Sequence, residues 1–223
     1  GRAVVIDNIS GYIYCGLQTS PEKIVKFRIS DFTIVGTTLT FDTGNNGIVG
    51  GCIDVTNDVS YWCLNVAAGG YGGIVKVNNN GTGTPTVVSV LDFIAGETNC
   101  DGGIALDLPN YLAYVACSIS PVKIVKVNIN PASFARVGAI TLSTNENNVG
   151  SSSLVIELNR LGGLANQLTV LTRGTTKYAV HVELAGFTRT GATTLSGANN
   201  YNGACVDVTS DGRSLNRIYL SQY

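Results

Sequence analysis

The sequence predicts an all-β protein, a β-propeller built from four-stranded antiparallel blades. A repeat of about 50 residues runs along the 223-residue chain, and each repeat holds four short runs rich in β-branched and aromatic residues. No part of the chain has sustained helical periodicity. Four antiparallel strands per unit of this length, repeated radially, form the blade of a propeller. A flat solenoid is the alternative that the same pattern allows.

The repeat is clearest between SPEKIVKFRISDFTIVGTTLTF at 20–41 and SPVKIVKVNINPASFARVGAITLS at 120–143. Weaker copies begin at Gly72 and Thr176. Upstream of each copy, and again in the tail, a short apolar run ends in an acidic residue. These five acids are Asp7, Asp54, Asp107, Glu157 and Asp207, with spacings of 47, 53, 50 and 50 residues.

The spacing predicts one propeller domain over residues 1–223 with about 4.5 repeats. In the first repeat the predicted strands are AVVID, YIYCGL, KIVKFRI and TIVGTTLTF, separated by Gly, Asn, Asp, Ser or Pro. The fifth repeat holds two predicted strands, ACVDV and RIYLSQY. The predicted blades are 1–46, 47–100, 101–148 and 149–200, with a partial blade at 201–223.

The repeat also carries a recognisable motif. It begins with a Tyr six residues before SP-x-KIVK, and F-x-x-VG and a nearby TL follow the KIVK. This pattern resembles the YVTN-type and related propeller repeats of secreted or surface proteins of microbes and protists. The resemblance covers essentially the whole chain and is strongest in the first and third copies. It implies a propeller fold and an extracellular setting, and it brings no catalytic motif with it.

The two-stranded fifth repeat predicts a sheet edge that needs cover, because unpaired N–H and C=O groups template association. Only Gly1 and Arg2 precede the first predicted strand, so the chain lacks a segment to complete that blade. Three arrangements are compatible with this edge. A longer parent chain could cover it, a neighbouring subunit could add strands head to tail, or a five-bladed ring could tolerate a short blade.

Six cysteines without a Cys-x-x-Cys pair or a histidine cluster predict disulfides and an oxidising compartment. A turn centred near residues 57 and 58 would place Cys52 opposite Cys63 across a hairpin. Reduced thiols packed in an apolar sheet are the alternative. The further pairings considered are Cys100 with Cys117, within the third blade, and Cys15 with Cys205, between the first and last blades.

The composition predicts an unusually neutral surface. Charged residues make up 13% of the chain, against about 25% in ordinary domains, and the mean hydropathy is +0.23. Attached glycans or neighbouring subunits could keep such a surface soluble. Asn8-Ile-Ser and Asn80-Gly-Thr match the N-glycosylation pattern, with Asn80 favoured because it lies in a loop of Asn and Gly.

Two classes of partner are excluded by the same composition. A net charge of −1 without a basic cluster argues against nucleic-acid binding, which needs several Lys or Arg against phosphates. No run approaches the ~18 apolar residues of a membrane span.

Candidate catalytic residues are few. The lone His181 takes the place that Lys26, Lys76 and Lys126 hold in the other copies, which predicts an outward-facing strand position. The five acids each precede a turn and are expected to accept backbone N–H bonds, with a calcium site at one end of the ring as the alternative. Trp62 is expected to pack between blades.

These observations favour an extracellular structural or adhesive glycoprotein module, a repeating subunit of a surface filament that assembles through its incomplete last blade. Its expected partners are further copies of itself and attached or bound glycans. A glycan-binding module is the alternative, and a propeller-type hydrolase or lactonase is a third. We predict no enzymatic activity, no cofactor, and no catalytic or metal-binding residues.

Overall fold

A computed structural model describes residues 3–42, 44–158 and 165–196, and also 201–208 and 214–222. The side chains of residues 151 and 152 and of the last two ranges lie outside the description. In these ranges the chain is almost entirely β-structure, with one short 3₁₀ turn at Leu108–Asn110. None of the described helical segments is long and apolar enough to span a bilayer.

The described strands form four four-stranded antiparallel sheets and one two-stranded sheet, each with its strands in chain order. The first sheet contains β1 (Ala3–Asp7), β2 (Tyr12–Leu17), β3 (Lys23–Arg28) and β4 (Leu39–Thr40). The second contains β5 (Asn46–Asp54), β6 (Val59–Val66), β7 (Gly73–Asn78) and β8 (Thr86–Asp92).

The third sheet contains β9 (Ile104–Asp107), β10 (Leu112–Cys117), β11 (Lys123–Asn130) and β12 (Ser133–Thr141). The fourth contains β13 (Val149–Glu157), β14 (Gln167–Thr172), β15 (Tyr178–Glu183) and β16 (Thr188–Thr194). The two-stranded sheet contains β17 (Tyr201–Val208) and β18 (Ser214–Gln222). The predicted all-β architecture of four-stranded antiparallel blades followed by a two-stranded one is confirmed.

The chain divides into two compact units, Gly1–Cys100 and Asp101–Tyr223. The first two sheets belong to the first unit and the other three to the second. The division falls at the predicted boundary between the second and third blades. That residues 1–223 form a single domain stays a prediction.

Within each unit, the first strands of successive sheets lie side by side: β1 beside β5, and β13 beside both β9 and β17. The fourth strands β8, β12 and β16 lie at the outer edges of their sheets and are largely exposed, whereas β6, β7, β10 and β14 are buried on both faces over most of their length. This is the strand order of a propeller blade, from inner to outer edge.

One predicted strand is much shorter than expected. TIVGTTLTF was predicted to run from Thr33 to Phe41, but β4 contains only Leu39 and Thr40, with an isolated bridge between Phe27 and Ile34. The Asp31 carboxylate accepts hydrogen bonds from the backbone and hydroxyl of Thr33, and Gly36 has φ +71°. This turn chemistry diverts the chain before it can pair along the full length of β3.

Trp62 is the centre of the core of the first unit. It is fully buried between the first and second sheets, as predicted, and its Nε1 donates to Ser60 Oγ at 2.8 Å. Two strands approach the indole through glycines. A methyl group on Gly16 would lie 2.6 Å from Ile48 Cγ2 and 3.0 Å from Trp62 Cζ3, so the two sheets can pack this closely only without a side chain there.

The second unit has its own core, which includes Tyr114, Ile124, Leu168 and Val182. At its margin the Arg189 Nε lies 3.0 Å from both carboxylate oxygens of the buried Glu146. The hydrogen bonds to Glu146 raise the pKa of the Arg189 guanidinium, which stays charged. This ion pair ties the turn after β12 to the outer strand β16.

We expect Gly16→Ala to lower the free energy of unfolding by about 1–3 kcal/mol, because the new methyl group overpacks Ile48 and Trp62. Gly191→Ala is the matched control: Gly191 lies in β16 with open space where its Cβ would be, and the change should stay within about 0.5 kcal/mol. Urea unfolding monitored by Trp62 fluorescence measures both. Equal effects of the two substitutions would contradict the packing described.

Candidate functional site

Two of the repeated acids, Asp7 and Asp54, cap turns through backbone N–H groups as the sequence predicted. Asp7 Oδ1 accepts hydrogen bonds from the backbone N–H groups of Ile9 and Ser10, at 3.0 and 2.9 Å. Asp54 Oδ1 accepts from those of Thr56 and Asn57, both at 3.1 Å.

The next two acids accept from side-chain amides instead. Asp107 accepts from Asn110 Nδ2, and Glu157 accepts from Gln167 Nε2 at 2.7 Å. The side chain of Asp207 lies outside the described residues. In the part of the chain that is described, no cluster of three or more His, Cys, Asp or Glu is arranged to hold a metal ion.

A second repeated feature lies beside these acids, and sequence reasoning did not assemble it. In each of the first three sheets a buried tyrosine of the second strand pairs with a lysine of the third strand. The pairs are Tyr14 with Lys26, Tyr61 with Lys76, and Tyr114 with Lys126. The signal was present, because the tyrosine always follows the acid by seven residues and the lysine always ends KIVK or its equivalent.

The prediction that this lysine position faces outward is wrong in the first two sheets, where Lys26 is 1% exposed and Lys76 8% exposed. Lys126 in the third sheet is half-exposed. Alternation of apolar and polar residues predicts an exposed face only where one side of a sheet meets water, and β3 and β7 are covered on both sides around their lysines. A long lysine side chain is compatible with such a position when its ammonium group finds hydrogen-bond acceptors.

Lys26 finds these acceptors in the next sheet. Its Nζ donates to the carbonyl oxygens of Asn79 at 3.0 Å and Gly83 at 3.2 Å, and also to that of Gly81. The ammonium lies 4.2 Å from the centre of the Tyr12 ring, within the range of a cation–π contact. The long turn between β7 and β8 is therefore held onto the first sheet.

Asp58 holds the same turn from the other side, because its Oδ2 accepts the Gly81 N–H at 2.6 Å. Burial lowers the pKa of Lys26, and the nearby carboxylates of Asp58 and Asp7 oppose that shift. Burial also raises the pKa of Tyr14, with contributions from Asp58 and Asp7. In the second sheet burial and the charge of Asp54 raise the pKa of Tyr61 to about 12.

The described residues leave the corresponding place in the second unit open. The turn between β15 and β16 has four residues, 184–187, against seven, 79–85, between β7 and β8. A pocket of about 500 Å³ remains, and Asp107, Tyr114, Lys126, Asn166 and Glu183 are among its lining residues. This pocket is the candidate functional site.

Lys126 contacts the shorter turn in a different way from Lys26. Its Nζ lies 5.3 Å from the centre of the Phe187 ring, and no described residue accepts a hydrogen bond from it. The hydroxyl of the fully buried Tyr114 likewise has no hydrogen-bond partner among the described residues. Burial, together with Asp107 and Glu183, raises the pKa of Tyr114, so this hydroxyl stays protonated.

The two carboxylates of the pocket are oriented by local hydrogen bonds. Both oxygens of Asp107 accept from Asn110 Nδ2, at 3.1 and 2.9 Å. The two oxygens of Glu183 accept the backbone N–H groups of Ala185 and Gly186, each at 2.7 Å. A carboxylate oxygen can accept more than one hydrogen bond, so both groups can still bind a ligand donor.

The fourth sheet replaces tyrosine and lysine with Thr169 and His181, which pair in the same register. His181 Nδ1 lies 3.2 Å from both Thr169 Oγ1 and Gln167 Nε2, and Gln167 also donates to Glu157. His181 is half-exposed and belongs to a polar network on one face of the sheet, opposite the buried Val180 and Val182.

The predicted register at Cys52 and Cys63 is also wrong. Cys52 lies opposite Tyr61 and Cys63 lies opposite Gly50, because Asp54 caps the turn one residue earlier than expected. The Cys63 thiol contacts the carbonyl oxygens of Gly50 and Cys100, at 3.5 and 3.6 Å. The disulfides Cys52–Cys63, Cys100–Cys117 and Cys15–Cys205 stay predictions, and the side chain of Cys205 lies outside the described residues.

Both predicted glycosylation sites lie in exposed turns, as expected from their sequences. Asn80 has a φ of +58°, and its Nδ2 donates to the Thr84 carbonyl at 2.9 Å. Asn8 lies in the turn that Asp7 caps. Glycosylation of Asn8 and Asn80 stays a prediction.

Comparison with known proteins identifies the fold. No protein-family model and no curated protein matches the chain. Solved structures do match. A hypothetical selenium-binding protein from Sulfolobus tokodaii has a TM-score of 0.61 at 10% identity, over 98% of this chain and 57% of that one.

Two further structures are similar. The Dos1 propeller has a TM-score of 0.55 at 9% identity, over 90% of this chain and 47% of that one. A bifunctional GH43-CE protein of Bacteroides eggerthii has a TM-score of 0.54 at 12% identity, over 98% of this chain and 30% of that one. The chain has a β-propeller fold. It spans between about a third and just over half of the length of these proteins.

We expect Lys26→Met to destabilise the protein by about 2–4 kcal/mol, since methionine keeps the length of the side chain but leaves the carbonyls of the β7–β8 turn without their donor. Residues 79–83 should also become sensitive to proteolysis. Lys23→Met, in the same strand but half-exposed, is the control. Urea unfolding and limited proteolysis measure the effect, and equal stability of the two variants would contradict an anchoring role for Lys26.

Proposed function

We propose that the chain is a non-catalytic module of an extracellular structural or adhesive protein, and that it adheres by binding a neutral, hydroxyl-rich ligand at the pocket of the second unit. Glycan is the ligand class of this kind. The observation that carries the proposal is the Lys126 ammonium, which lines the pocket without a hydrogen-bond acceptor among the described residues.

The polar groups of the pocket support a neutral ligand. Lys126 is a charged donor, and Asp107 and Glu183 are acceptors. Two carboxylates beside one ammonium group disfavour an anion, whereas sugar hydroxyls both donate and accept and so suit the whole set. The volume of about 500 Å³ lies within the range of small-ligand sites.

Binding without catalysis is supported by the way in which both carboxylates are used. Asp107 and Glu183 each hold a neighbouring turn through two hydrogen bonds, so neither is poised as a free acid or base. The extracellular setting rests on the resemblance to YVTN-type repeats, the predicted disulfides and glycosylation sites, and the low charge of the sequence.

We expect Lys126→Ala to reduce glycan binding at least tenfold while the protein stays folded, because the substitution removes the pocket's charged donor. Lys123→Ala is the control, since Lys123 lies on the same strand outside the pocket. A glycan array followed by titration calorimetry of the selected glycan measures binding. Absence of binding to any glycan, or equal binding by the two variants, would contradict the proposal.

Self-association as a structural subunit is the second candidate, and β8 is the observation that favours it. This outer strand carries exposed Val87, Val88 and Val90, at 39%, 53% and 36% exposure, and Asp92 is its single charged residue. Long apolar edge strands with few charges pair readily with other chains. A filament assembled through the two-stranded sheet would instead use the edge of β18 that faces away from β17.

We expect Val88→Lys and Val90→Lys together to reduce assembly, because two charges on an edge strand oppose pairing. Thr193→Lys, on the exposed outer strand β16, is the control for added charge. Sedimentation velocity and negative-stain imaging measure the assemblies. Filaments that persist in the double variant would contradict a role for β8 and leave the edge of β18 as the site of assembly.

A further inference from the structure

The first unit shows which chemical groups the equivalent lysine binds there. There the equivalent place is occupied by the chain's own turn, residues 79–83, whose sequence is Asn-Asn-Gly-Thr-Gly. Lys26 donates to three backbone carbonyls of this turn, and Asp58 accepts one of its N–H groups. The buried lysine is therefore matched to amide groups: carbonyl oxygens on the ammonium and an amide N–H on a carboxylate.

The two places correspond at the lysine, its tyrosine and the turn it contacts. Lys26 and Lys126 occupy the same position of KIVK and pair with Tyr14 and Tyr114 in the same register. Each lysine contacts the turn between the third and fourth strands of the following sheet, at 79–83 and at Phe187. The two units differ in the length of that turn, seven residues in one and four in the other, and in the residue at the position of Asp58, which is Asn166 in the second unit.

The shorter turn of the second unit does not present carbonyl oxygens to the lysine, although the lysine itself is present at the same position. Among the described residues none accepts a hydrogen bond from Lys126, which lines the pocket. Glu183 and the 2%-exposed Asp107 line the same space and have acceptor capacity left. A ligand that restores the hydrogen bonding of the lysine would present a carbonyl oxygen to Lys126, and its amide N–H would meet these two carboxylates, since Asn166 stands at the position of Asp58.

We infer that the pocket selects sugars that carry an N-acetyl group, with the acetamido carbonyl accepting from Lys126 and the acetamido N–H donating to Asp107 or Glu183. This inference rests on the proposed glycan-binding function and adds the chemical group that is recognised. A sugar fits better than a peptide turn, because its ring hydroxyls supply further donors for two carboxylates, whereas the turn in the first unit meets a single one, Asp58.

The test compares N-acetylglucosamine, N-acetylgalactosamine, glucose, galactose and the blocked peptide Asn-Asn-Gly-Thr-Gly by titration calorimetry with the full chain. We expect the N-acetylated sugars to bind at least about tenfold more tightly than glucose and galactose. We also expect Lys126→Ala to abolish that preference and Lys123→Ala to retain it.

Three results would overturn the inference in distinguishable ways. Equal binding of glucose and N-acetylglucosamine at the pocket would remove the amide specificity and leave the proposed glycan binding intact. Binding of the peptide without any of the sugars would identify a protein turn as the ligand. Failure of all five probes, together with a glycan array that shows no binding, would end both proposals.

A turn graft gives an independent readout that does not change any lining lysine. Replacing residues 184–187 with the seven residues 79–85 should fill the pocket from within the chain and abolish sugar binding. Because the graft restores acceptors for Lys126, we expect the thermal midpoint to stay equal or rise. A folded graft that still binds N-acetylated sugars with unchanged affinity would overturn the inference. Should the graft fail to fold, Lys126→Met, which keeps the length of the side chain, provides the same test.

Discussion

A lysine buried on the third strand of a β-sheet must find oxygen acceptors, and this constraint governs what each unit of the protein does with its turns. An ammonium group removed from water without partners costs several kcal/mol. In the first unit the chain meets that requirement itself, by lengthening the β7–β8 turn until three carbonyls reach Lys26. The stability of that turn and the burial of the lysine therefore depend on each other.

In the second unit the lysine is half-exposed, so the constraint is weaker there. Lys126 has the same strand position and the same tyrosine partner, yet the turn facing it is three residues shorter and offers the Phe187 ring in place of carbonyls. The ring quadrupole favours a cation but does not supply hydrogen-bond acceptors.

The core of the first unit is connected to this turn through Trp62. Trp62 fills the space between two sheets because Gly16 and Gly51 leave room for its indole, and its Nε1 bonds to Ser60. Ser60 in turn donates to Asn79 Oδ1, at the start of the turn that Lys26 holds. The aromatic core and the anchored turn are thus joined by a short chain of buried hydrogen bonds.

Much of the architecture follows from the sequence. The 50-residue repeat, the four strands of each blade, the two-stranded last sheet, the turn-capping acids and the buried tryptophan were all predicted, because each depends on local patterning or on chemistry within a few residues. The predicted fourth strand of the first blade was too long, since the Asp31–Thr33 turn competes with strand pairing. The predicted register that places Cys52 opposite Cys63 was wrong, because the turn that Asp54 caps lies one residue earlier than the sequence suggested.

Only the tertiary structure decided whether the lysine of the KIVK motif is buried or exposed. Alternating polarity on a strand indicates a solvent-facing side only if that side is solvated, and the sequence does not state that a second sheet covers it. The pocket has the same origin: it arises from a difference in turn length between two sheets, seen against a lysine far away in sequence. Residue spacing determines the blades, whereas contacts between sheets determine which lysines are buried and which carbonyl oxygens they meet.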